Sequence, residues 1–469
     1  MQNFIETTRH DPPKHEPTQR LRNFDEIYQF FNNRQVRKQS ERCVQCGDPF
    51  CATIGCPLQN YIPQWLEAIA ERDLERAFRL SNESSPFPEI LGRICPQEDL
   101  CEGACTLDDG FGAITIGAIE ASITDLAFAA GLKLPFPGIR HPQKVAVVGS
   151  GPAGISCAHF LLRAGIGVEM YEQADRPGGL LTYGIPGFKL DKKIIEKRFE
   201  ILSEAGLQLH LQQQIGQDIK LVELIEQHDA VFIGIGATQG RRAKIKGEEL
   251  PEVLLAMDYL TEKQQQLFGK SASEKISMQD KKVVVIGGGD TAMDCLRTAI
   301  RDGARQVSCL YRRDENNMPG SSKEFHNAVE EGVEFCFNIS PREIRRETDS
   351  LICIEVEKTQ LGEIAEDGRQ QVEIIPATEH CISADVVILA LGFDVTTLPE
   401  LEKAGIITNQ WGQIQTDQTS GISNNIKVYS GGDCCRGADL VVTAAADGKR
   451  AALAIMQQIL VSRLVSRDA

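Results

Sequence analysis

Two copies of one short pattern, a buried strand followed by a glycine-rich turn and a helix, constrain this 469-residue chain most strongly. In the first copy, an apolar strand at 144–148 runs into the turn 149–154, a helix at about 155–164 and a second strand that ends in Glu172. The glycines permit a tight turn and close approach of a pyrophosphate to the helix N-terminus, and the acid suits a ribose hydroxyl. The pattern predicts a dinucleotide site at Gly149, Gly151, Pro152, Ala153, Gly154 and Glu172.

The second copy differs at the position of the acid. Its strand at 283–286 leads into a turn whose predicted binding residues are Gly287, Gly289, Asp290, Thr291 and Ala292, and the next strand ends before Arg312 and Arg313. A carboxylate repels a 2′-phosphate, whereas a guanidinium group binds one in a bidentate manner. The position of Arg312 and Arg313 directly after the strand disfavours the alternative that they are only solvated. The first site therefore suits a cofactor without a 2′-phosphate, and the second predicts NADPH.

Further segments favour FAD at the first site. Strands that end in glycine at 228–236 and 384–393 are typical of crossings between two nucleotide domains, and a third such strand ends in Gly432 and Asp433. Asp433 could accept a hydrogen bond from the flavin ribitol. A long helix from about residue 438 would point its N-terminal dipole at a reduced flavin. Ordinary packing would also explain that helix.

Composition sets the cellular context. The formal charge of −16 argues against nucleic-acid binding, which needs a basic surface. We find neither an apolar run of about 20 residues nor a signal-peptide pattern, and we expect a cytoplasmic protein without membrane spans. Structural disulfides are uncommon there, so the 15 cysteines need another explanation. Eight of them are scattered, and we expect these to pack as small apolar side chains, the adjacent Cys434 and Cys435 included.

The other seven cysteines fall into two runs. The first has spacing Cys-x2-Cys-x4-Cys-x4-Cys-Pro, and the second has Cys-Pro-x4-Cys-x3-Cys. Zinc sites usually combine two matched CxxC pairs, whereas uneven spacing with Cys-Pro is typical of iron–sulfur proteins. We therefore favour iron–sulfur clusters over zinc. The predicted ligands are Cys43, Cys46, Cys51, Cys56, Cys95, Cys101 and Cys105.

Two four-iron clusters need eight ligands, one more than these cysteines supply. In two-cluster ferredoxins the last cysteine of a run serves the other cluster. By that rule Cys105 joins the first three cysteines, and Cys56 joins Cys95 and Cys101. Glu120 is a candidate for the missing ligand, although a solvated helix carboxylate explains it about equally well.

In this order, the patterns resemble the small (β) subunit family of NADPH-dependent glutamate synthases, and the N-terminal part of dihydropyrimidine dehydrogenase. The matching segments are 43–57, 93–105, 149–154, 177–186, 287–294, 311–314, 318–321 and 431–433. The resemblance implies an α-helical iron–sulfur domain followed by two Rossmann-like α/β domains arranged as in glutathione reductase. It also places the nicotinamide against the flavin near Gly179 and Leu180. The expected boundaries are 1–140 for the iron–sulfur domain, 141–240 and 393–469 for the two FAD segments, and 241–392 for NADPH.

The function implied by the resemblance is electron input to glutamate synthase. NADPH would reduce FAD, and two 4Fe-4S clusters would carry single electrons to a large (α) subunit that makes glutamate from glutamine and 2-oxoglutarate. We expect no catalytic side-chain set in this chain. Two alternatives stay open: an NADPH oxidoreductase of the same family that serves another acceptor such as ferredoxin, and a non-catalytic scaffold that binds zinc.

Overall fold

The computed structural model of the chain describes residues 1–270, 277–347, 351–365 and 370–465. Its first part, residues 1–143, is built from helices. These are α1 (Pro17–Arg20), α2 (Asn33–Ser40), α3 (Phe50–Thr53), α4 (Ile62–Ala70), α5 (Leu74–Ser84), α6 (Pro88–Ile94), α7 (Asp108–Phe111) and α8 (Ile116–Ala129). Helices α6 and α8 approach closely because Gly92 has no side chain: a Cβ on it would lie 2.6 Å from the Gly117 carbonyl oxygen.

A strand–helix alternation follows. It comprises β1 (Lys144–Val148), α9 (Pro152–Arg163), β2 (Gly167–Tyr171), α10 (Leu180–Tyr183), α11 (Lys192–Glu204), β3 (Leu207–His210), α12 (Leu221–Gln227) and β4 (Ala230–Ile233). Four of the five residues of β1 and all four of β4 are buried, as expected of parallel strands covered on both faces.

The next region contains a second alternation and an added hairpin sheet. Its elements are β5 (Gln239–Gly240), β6 (Val253–Leu255), α13 (Ala256–Leu267), β7 (Lys282–Ile286), α14 (Asp290–Arg301), β8 (Gln306–Tyr311), α15 (Ser322–Glu330), β9 (Glu334–Phe337), β10 (Ile339–Arg346), β11 (Ile352–Ile364), β12 (Gln370–Ile374), β13 (His380–Ala384), β14 (Val386–Leu389) and β15 (Phe393–Asp394). The chain then forms α16 (Glu400–Lys403), β16 (Val428–Ser430), α17 (Asp433–Arg436) and α18 (Val441–Val465).

The two five-stranded sheets have matching topology. The first has the order β16-β4-β1-β2-β3 and the second the order β6-β14-β7-β8-β9, with every pairing parallel. Strand β16 completes the first sheet although the whole second sheet precedes it in sequence. Where the chain passes between the sheets, β5 pairs antiparallel with β15. The expected fold class is confirmed.

One expectation about the scattered cysteines is wrong. The structure joins Cys353 of β11 to Cys381 of β13 as a disulfide, because the antiparallel pairing of these strands brings the two Cα atoms within 5.6 Å. Cys434 and Cys435 are free, as expected. Among the described residues, no helix combines the length and the apolar character that crossing a bilayer requires.

Candidate redox site

The first glycine turn joins β1 to α9. Gly149 has φ of 93°, and a Cβ on it would lie 2.4 Å from the Gly234 carbonyl oxygen. A Cβ on Gly154 would lie 2.0 Å from the Gly149 carbonyl oxygen. Both positions therefore require glycine to close the turn. Gly151, by contrast, faces open space, as a residue must where a ligand phosphate approaches the backbone.

Glu172 is buried at the end of β2 and is tied to this turn by Ser150. The backbone N–H and the hydroxyl of Ser150 donate to Glu172 Oε2 at 3.0 and 2.6 Å, and the Ala174 N–H donates to Oε1 at 2.8 Å. The Ser150 hydroxyl also accepts from the Gly178 N–H at 2.9 Å. Each carboxylate oxygen has two lone pairs, so Oε1 keeps one for a ribose hydroxyl. Sequence reasoning missed Ser150, which no fingerprint position marks.

The C-terminal segment reaches the same turn. A Cβ on Gly432 would lie 3.1 Å from the Ala153 Cβ, and one on Gly179 would lie 3.1 Å from the Gly151 Cα. Burial raises the pKa of the neighbouring Asp433 to about 7. The predicted FAD residues are thus part of these contacts or adjacent to them in sequence. They are Gly149, Gly151, Pro152, Ala153, Gly154, Glu172, Gly179, Leu180, Gly432 and Asp433.

The second turn repeats this construction between β7 and α14. Gly287 has φ of 142°, and its Cβ would lie 2.2 Å from the Ala390 carbonyl oxygen, whereas Gly289 faces open space. The loop before α15 covers the turn, since the Ser321 N–H donates to Asp290 Oδ1 at 3.0 Å. Ala292 is buried in the domain core, and Thr291 is half-buried beside it.

The two arginines after β8 have different environments. Arg312 is exposed, and its backbone carbonyl accepts a hydrogen bond from the Thr359 hydroxyl. Arg313 is half-buried, and its Nε donates to the Gln370 carbonyl oxygen at 3.1 Å. The guanidinium group of Arg312 is therefore the more available of the two for a phosphate.

Four of the seven clustered cysteines line one cavity of the helical region. Cys43, Cys46, Cys51 and Cys105 share it with apolar side chains such as Phe50. Burial raises the pKa of Cys43 to about 11 and that of Cys51 to about 12. These groups are neutral thiols at pH 7 until a bound cation displaces their protons.

The remaining three cysteines line a second cavity together with Glu120 of α8. These cysteines are Cys56, Cys95 and Cys101. Asn60 fixes the carboxyl group by donating from Nδ2 to Glu120 Oε1 at 2.7 Å, and the Ser84 hydroxyl donates in turn to Asn60 Oδ1 at 3.1 Å. Burial is the main cause that raises the pKa of Glu120 to about 8. Glu120 is therefore a buried carboxyl group held in a fixed orientation at this cavity, and not a solvated helix carboxylate. The sequence carried no signal for Asn60.

The spacing of the sulfur atoms argues against single zinc ions. Zn–S bonds of about 2.3 Å place any two sulfur ligands within about 4.6 Å of each other. Among the described residues, the set of three potential ligand atoms lying within 4.8 Å of one another is Glu347, Cys353 and Cys381. Neither of the two cavities is contracted to that degree. Each cavity offers four candidate ligands, of which at least three are thiols, and this is the number that an iron–sulfur cubane requires.

A few buried charges near the turns were also missed by sequence reasoning. Lys192 donates from Nζ to the carbonyl oxygens of Leu181 at 2.9 Å and Ile185 at 2.5 Å. Lys189 forms an ion pair of 3.0 Å with Asp294 of α14. These lysines lie in a polar run that resembles any exposed helix start, so their burial had no local signature.

The chain combines two parallel sheets, each with its own glycine turn, with a helical region that contains two cysteine-lined cavities. This combination defines the class of protein. The chain is a flavin-dependent pyridine nucleotide oxidoreductase with an iron–sulfur domain. Residues 143–448 match the family described as pyridine nucleotide-disulphide oxidoreductase, and residues 20–132 match dihydropyrimidine dehydrogenase domain II, 4Fe-4S cluster.

Comparison with individual relatives identifies the family of the chain more narrowly. The chain is 43% identical over 462 residues to the glutamate synthase [NADPH] small chain of Halomonas elongata, covering 97% of this chain and 98% of the relative. It is also 43% identical over 461 residues to the small chain of Escherichia coli, with the same coverage. The chain belongs to the family of glutamate synthase NADPH small chains, and the resemblance noted above is confirmed.

Two other comparisons bear on fold and role. FprA of Mycobacterium tuberculosis shares the fold, with a TM-score of 0.58 at 20% identity over 70% of this chain and 86% of FprA. The putative oxidoreductase AegA of Escherichia coli is 43% identical over 98% of this chain, which spans 71% of AegA.

Proposed function

We propose that this chain oxidises NADPH and feeds the electrons, through FAD and two 4Fe-4S clusters, to a large subunit that makes glutamate from glutamine and 2-oxoglutarate. The observation that supports this is the presence, in one chain, of a glycine turn with a buried acid, a second glycine turn followed by two arginines, and two cavities each lined by four candidate ligands. When bound, these cofactors would supply hydride transfer and single-electron transfer.

The two nucleotide sites differ in the charge of the residues that would bind the cofactor ribose. Glu172, held by Ser150, would bind the FAD ribose, while Asp433 would lie at the ribitol or ring. At the second site Gly287, Gly289 and the start of α14 would hold the NADPH pyrophosphate, with Asp290, Thr291 and Ala292 shaping the turn. Arg312 and Arg313 would select the 2′-phosphate. Domain limits of 1–140, 141–240, 241–392 and 393–469 fit the sheets, because β16 and α18 complete the first nucleotide domain.

Each cavity has four ligands of its own. We assign Cys43, Cys46, Cys51 and Cys105 to one cluster, and Cys56, Cys95, Cys101 and Glu120 to the other. This arrangement crosses the two sequence runs at Cys56 and Cys105. Seven cysteines suffice because Glu120 supplies the eighth ligand. The carboxylate ligand should give the second cluster a different potential from the first.

The positions of the cavities give the electron path a direction. Val442 of α18, in the FAD region, lines the cavity of Cys56, Cys95, Cys101 and Glu120, so that cluster would accept from the flavin. At the other cavity Phe50 is 46% exposed, and Ile54 is 74% exposed nearby in sequence. The cluster at Cys43 would thus lie closer to an external acceptor.

The test begins with the flavin and iron content per chain and continues with two activity assays. Protein purified without oxygen should contain one FAD and eight irons, and should oxidise NADPH with ferricyanide as the acceptor. Glutamate should form only when the large subunit is added. Four irons per chain would refute the two-cluster assignment, and zinc in place of iron would refute the redox function altogether.

The similarity to AegA supports a second candidate, an NADPH oxidoreductase that reduces another acceptor. The same assays separate the two functions. If NADPH oxidation with ferricyanide is fast but glutamate does not form with the large subunit present, the second candidate is correct. Reduction of ferredoxin at a comparable rate would then identify the acceptor class.

A further inference from the structure

Three consecutive residues of α18 connect the FAD site to the second cavity. The first, Asp447, accepts from the Gly432 N–H at 2.9 Å and so holds the C-terminal flavin segment. The second, Gly448, lies directly on the start of α9, where a Cβ would come within 2.1 Å of the Ala153 carbonyl oxygen. The helix is therefore fixed rigidly against the turn that would bind FAD.

The third residue, Lys449, faces the helical iron–sulfur region. Its Nζ donates to the carbonyl oxygen of Leu58 at 3.0 Å and to that of Ser84 at 3.2 Å. Leu58 follows Cys56 by two residues, and the Ser84 side chain supports Asn60, which orients Glu120. The ammonium group is thus fixed to the backbone of the Cys56 loop at Leu58 and to the end of α5 at Ser84.

The charge of Lys449 acts where negative charge would accumulate. Desolvation is the main cause that lowers the pKa of Lys449, and a negative charge on Cys56 opposes this effect. A cubane held by three thiolates and one carboxylate is anionic, and it gains one further negative charge on reduction. A fixed ammonium group in a half-buried position stabilises the more negative state.

We propose that Lys449 is a positioning residue for electron transfer, which docks the Cys56 loop on α18 and raises the reduction potential of a cluster bound by Cys56, Cys95, Cys101 and Glu120. This inference rests on the proposed function. Each transfer would move one electron, supplied by NADPH, from a bound and reduced FAD to the cluster, and no bond to the cluster would form or break. By favouring the reduced cluster, Lys449 draws electrons away from the flavin.

Three variants separate docking from charge. Lys449→Met removes both, Lys449→Gln retains a hydrogen-bond donor for the Leu58 carbonyl without the charge, and Lys449→Arg retains the charge. The holoproteins are titrated with dithionite, and the reduced clusters are followed by electron paramagnetic resonance. We expect the flavin–cluster equilibrium to shift on the order of tenfold against the cluster in the Met and Gln variants, which is about 59 mV for one electron. The Arg variant should remain close to wild type.

The control is Lys246→Met, which removes an exposed cation paired with Glu343 on the nucleotide side. It should leave both cluster potentials unchanged, and NADPH should reduce the flavin at the wild-type rate in all variants. Unchanged potentials in the Met and Gln variants, with the cluster present in the wild type, would overturn this inference alone. Absence of a reducible second cluster from the wild type would overturn the proposed function and this inference with it.

Discussion

At the scale of single residues, the two arginines after β8 are chemically alike but differently placed. Arg312 is exposed, whereas Arg313 gives its Nε–H to the Gln370 carbonyl of the hairpin sheet. The guanidinium group of Arg313 has five N–H donors, so it can bind a phosphate while it donates to the Gln370 carbonyl, but its orientation is then fixed. The sequence predicted both residues equally, because burial of the second depends on β12, which lies far away in the chain.

Replacing Arg312 by alanine should raise KM for NADPH by about 10- to 100-fold, since a hydrogen-bonded charge pair contributes roughly 1.5–3 kcal/mol. The KM for NADH should change little, because NADH has no 2′-phosphate. Arg313→Ala should have a smaller effect on KM and should also loosen the hairpin. Steady-state kinetics with both nucleotides checks this, and equal losses for NADPH and NADH would contradict the assignment.

Lys192 should make stability depend on pH. Burial lowers its pKa from 10.5 to about 7 in the folded chain. Between these values the unfolded chain binds more protons than the folded one, so the free energy of unfolding rises with pH. Wild type should gain up to about 1.4 kcal/mol per pH unit relative to Lys192→Met from pH 7 to 10. Denaturant unfolding at several pH values measures this, and parallel pH profiles would refute it.

At the scale of elements, the glycine turns and the sheets were predictable because their signals are local. Strand burial, turn glycines and the residue after the next strand all lie within about 30 residues. The contacts that orient the site are not local. Asn60 meets Glu120 across 60 residues, and Lys449 meets Leu58 across 391 residues. No sequence spacing predicts pairs that are so far apart in the chain. The disulfide between Cys353 and Cys381 was not predictable from spacing either.

Gly154 in the first turn and Gly167 on β2 form a matched pair for mutation. Gly154→Ala would place a methyl group 2.0 Å from the Gly149 carbonyl oxygen, so the turn must shift. We expect this variant to purify with little flavin. At Gly167, on β2, the nearest atom would be 3.8 Å away, and Gly167→Ala should retain its FAD. The flavin absorbance per chain of the two variants measures this difference. Full flavin content in Gly154→Ala would show that the turn adapts.

At the scale of the whole molecule, a buried charge network joins three regions. Arg297 of α14 pairs with Glu324 at 2.5 Å and with Glu331 at 2.9 Å, and its guanidinium lies 4.3 Å from the ring centre of Phe188. Arg20 of the helical region also pairs with Glu331 at 3.0 Å. Arginine lowers the pKa of Glu324 to about 2, so both carboxylates remain charged inside the protein.

Arg297→Met should therefore destabilise the chain by about 3–5 kcal/mol, because it leaves buried carboxylates uncompensated. The exposed pair of Lys133 and Glu204 provides the comparison, since Lys133 is 80% exposed and Lys133→Met should cost less than about 1 kcal/mol. Thermal unfolding of both variants measures the difference. Similar midpoints for the two would mean that the network contributes specificity of docking and little stability.

The surface near the first cavity should matter for the acceptor but not for NADPH. Ile54 is 74% exposed, and Ile54→Asp would place a charge on an apolar surface. Ferricyanide reduction should stay at the wild-type rate, while glutamate formation with the large subunit should fall at least about tenfold. An exposed isoleucine elsewhere, changed in Ile426→Asp, is the control. Equal effects of the two variants on glutamate formation would place the docking surface elsewhere.

The late position of β16 and α18 has a consequence for how the protein is made. A ribosome releases β1 to β4 early, but the edge strand and the helix that close their sheet emerge only after the entire second nucleotide domain. Domains tend to fold in the order of their synthesis. The inserted second nucleotide domain can therefore fold before the first nucleotide domain, whose last strand and helix have not yet been made. The first sheet is therefore complete only when translation is nearly over, and Lys449 joins the cysteine-bearing region to the flavin region at that same stage.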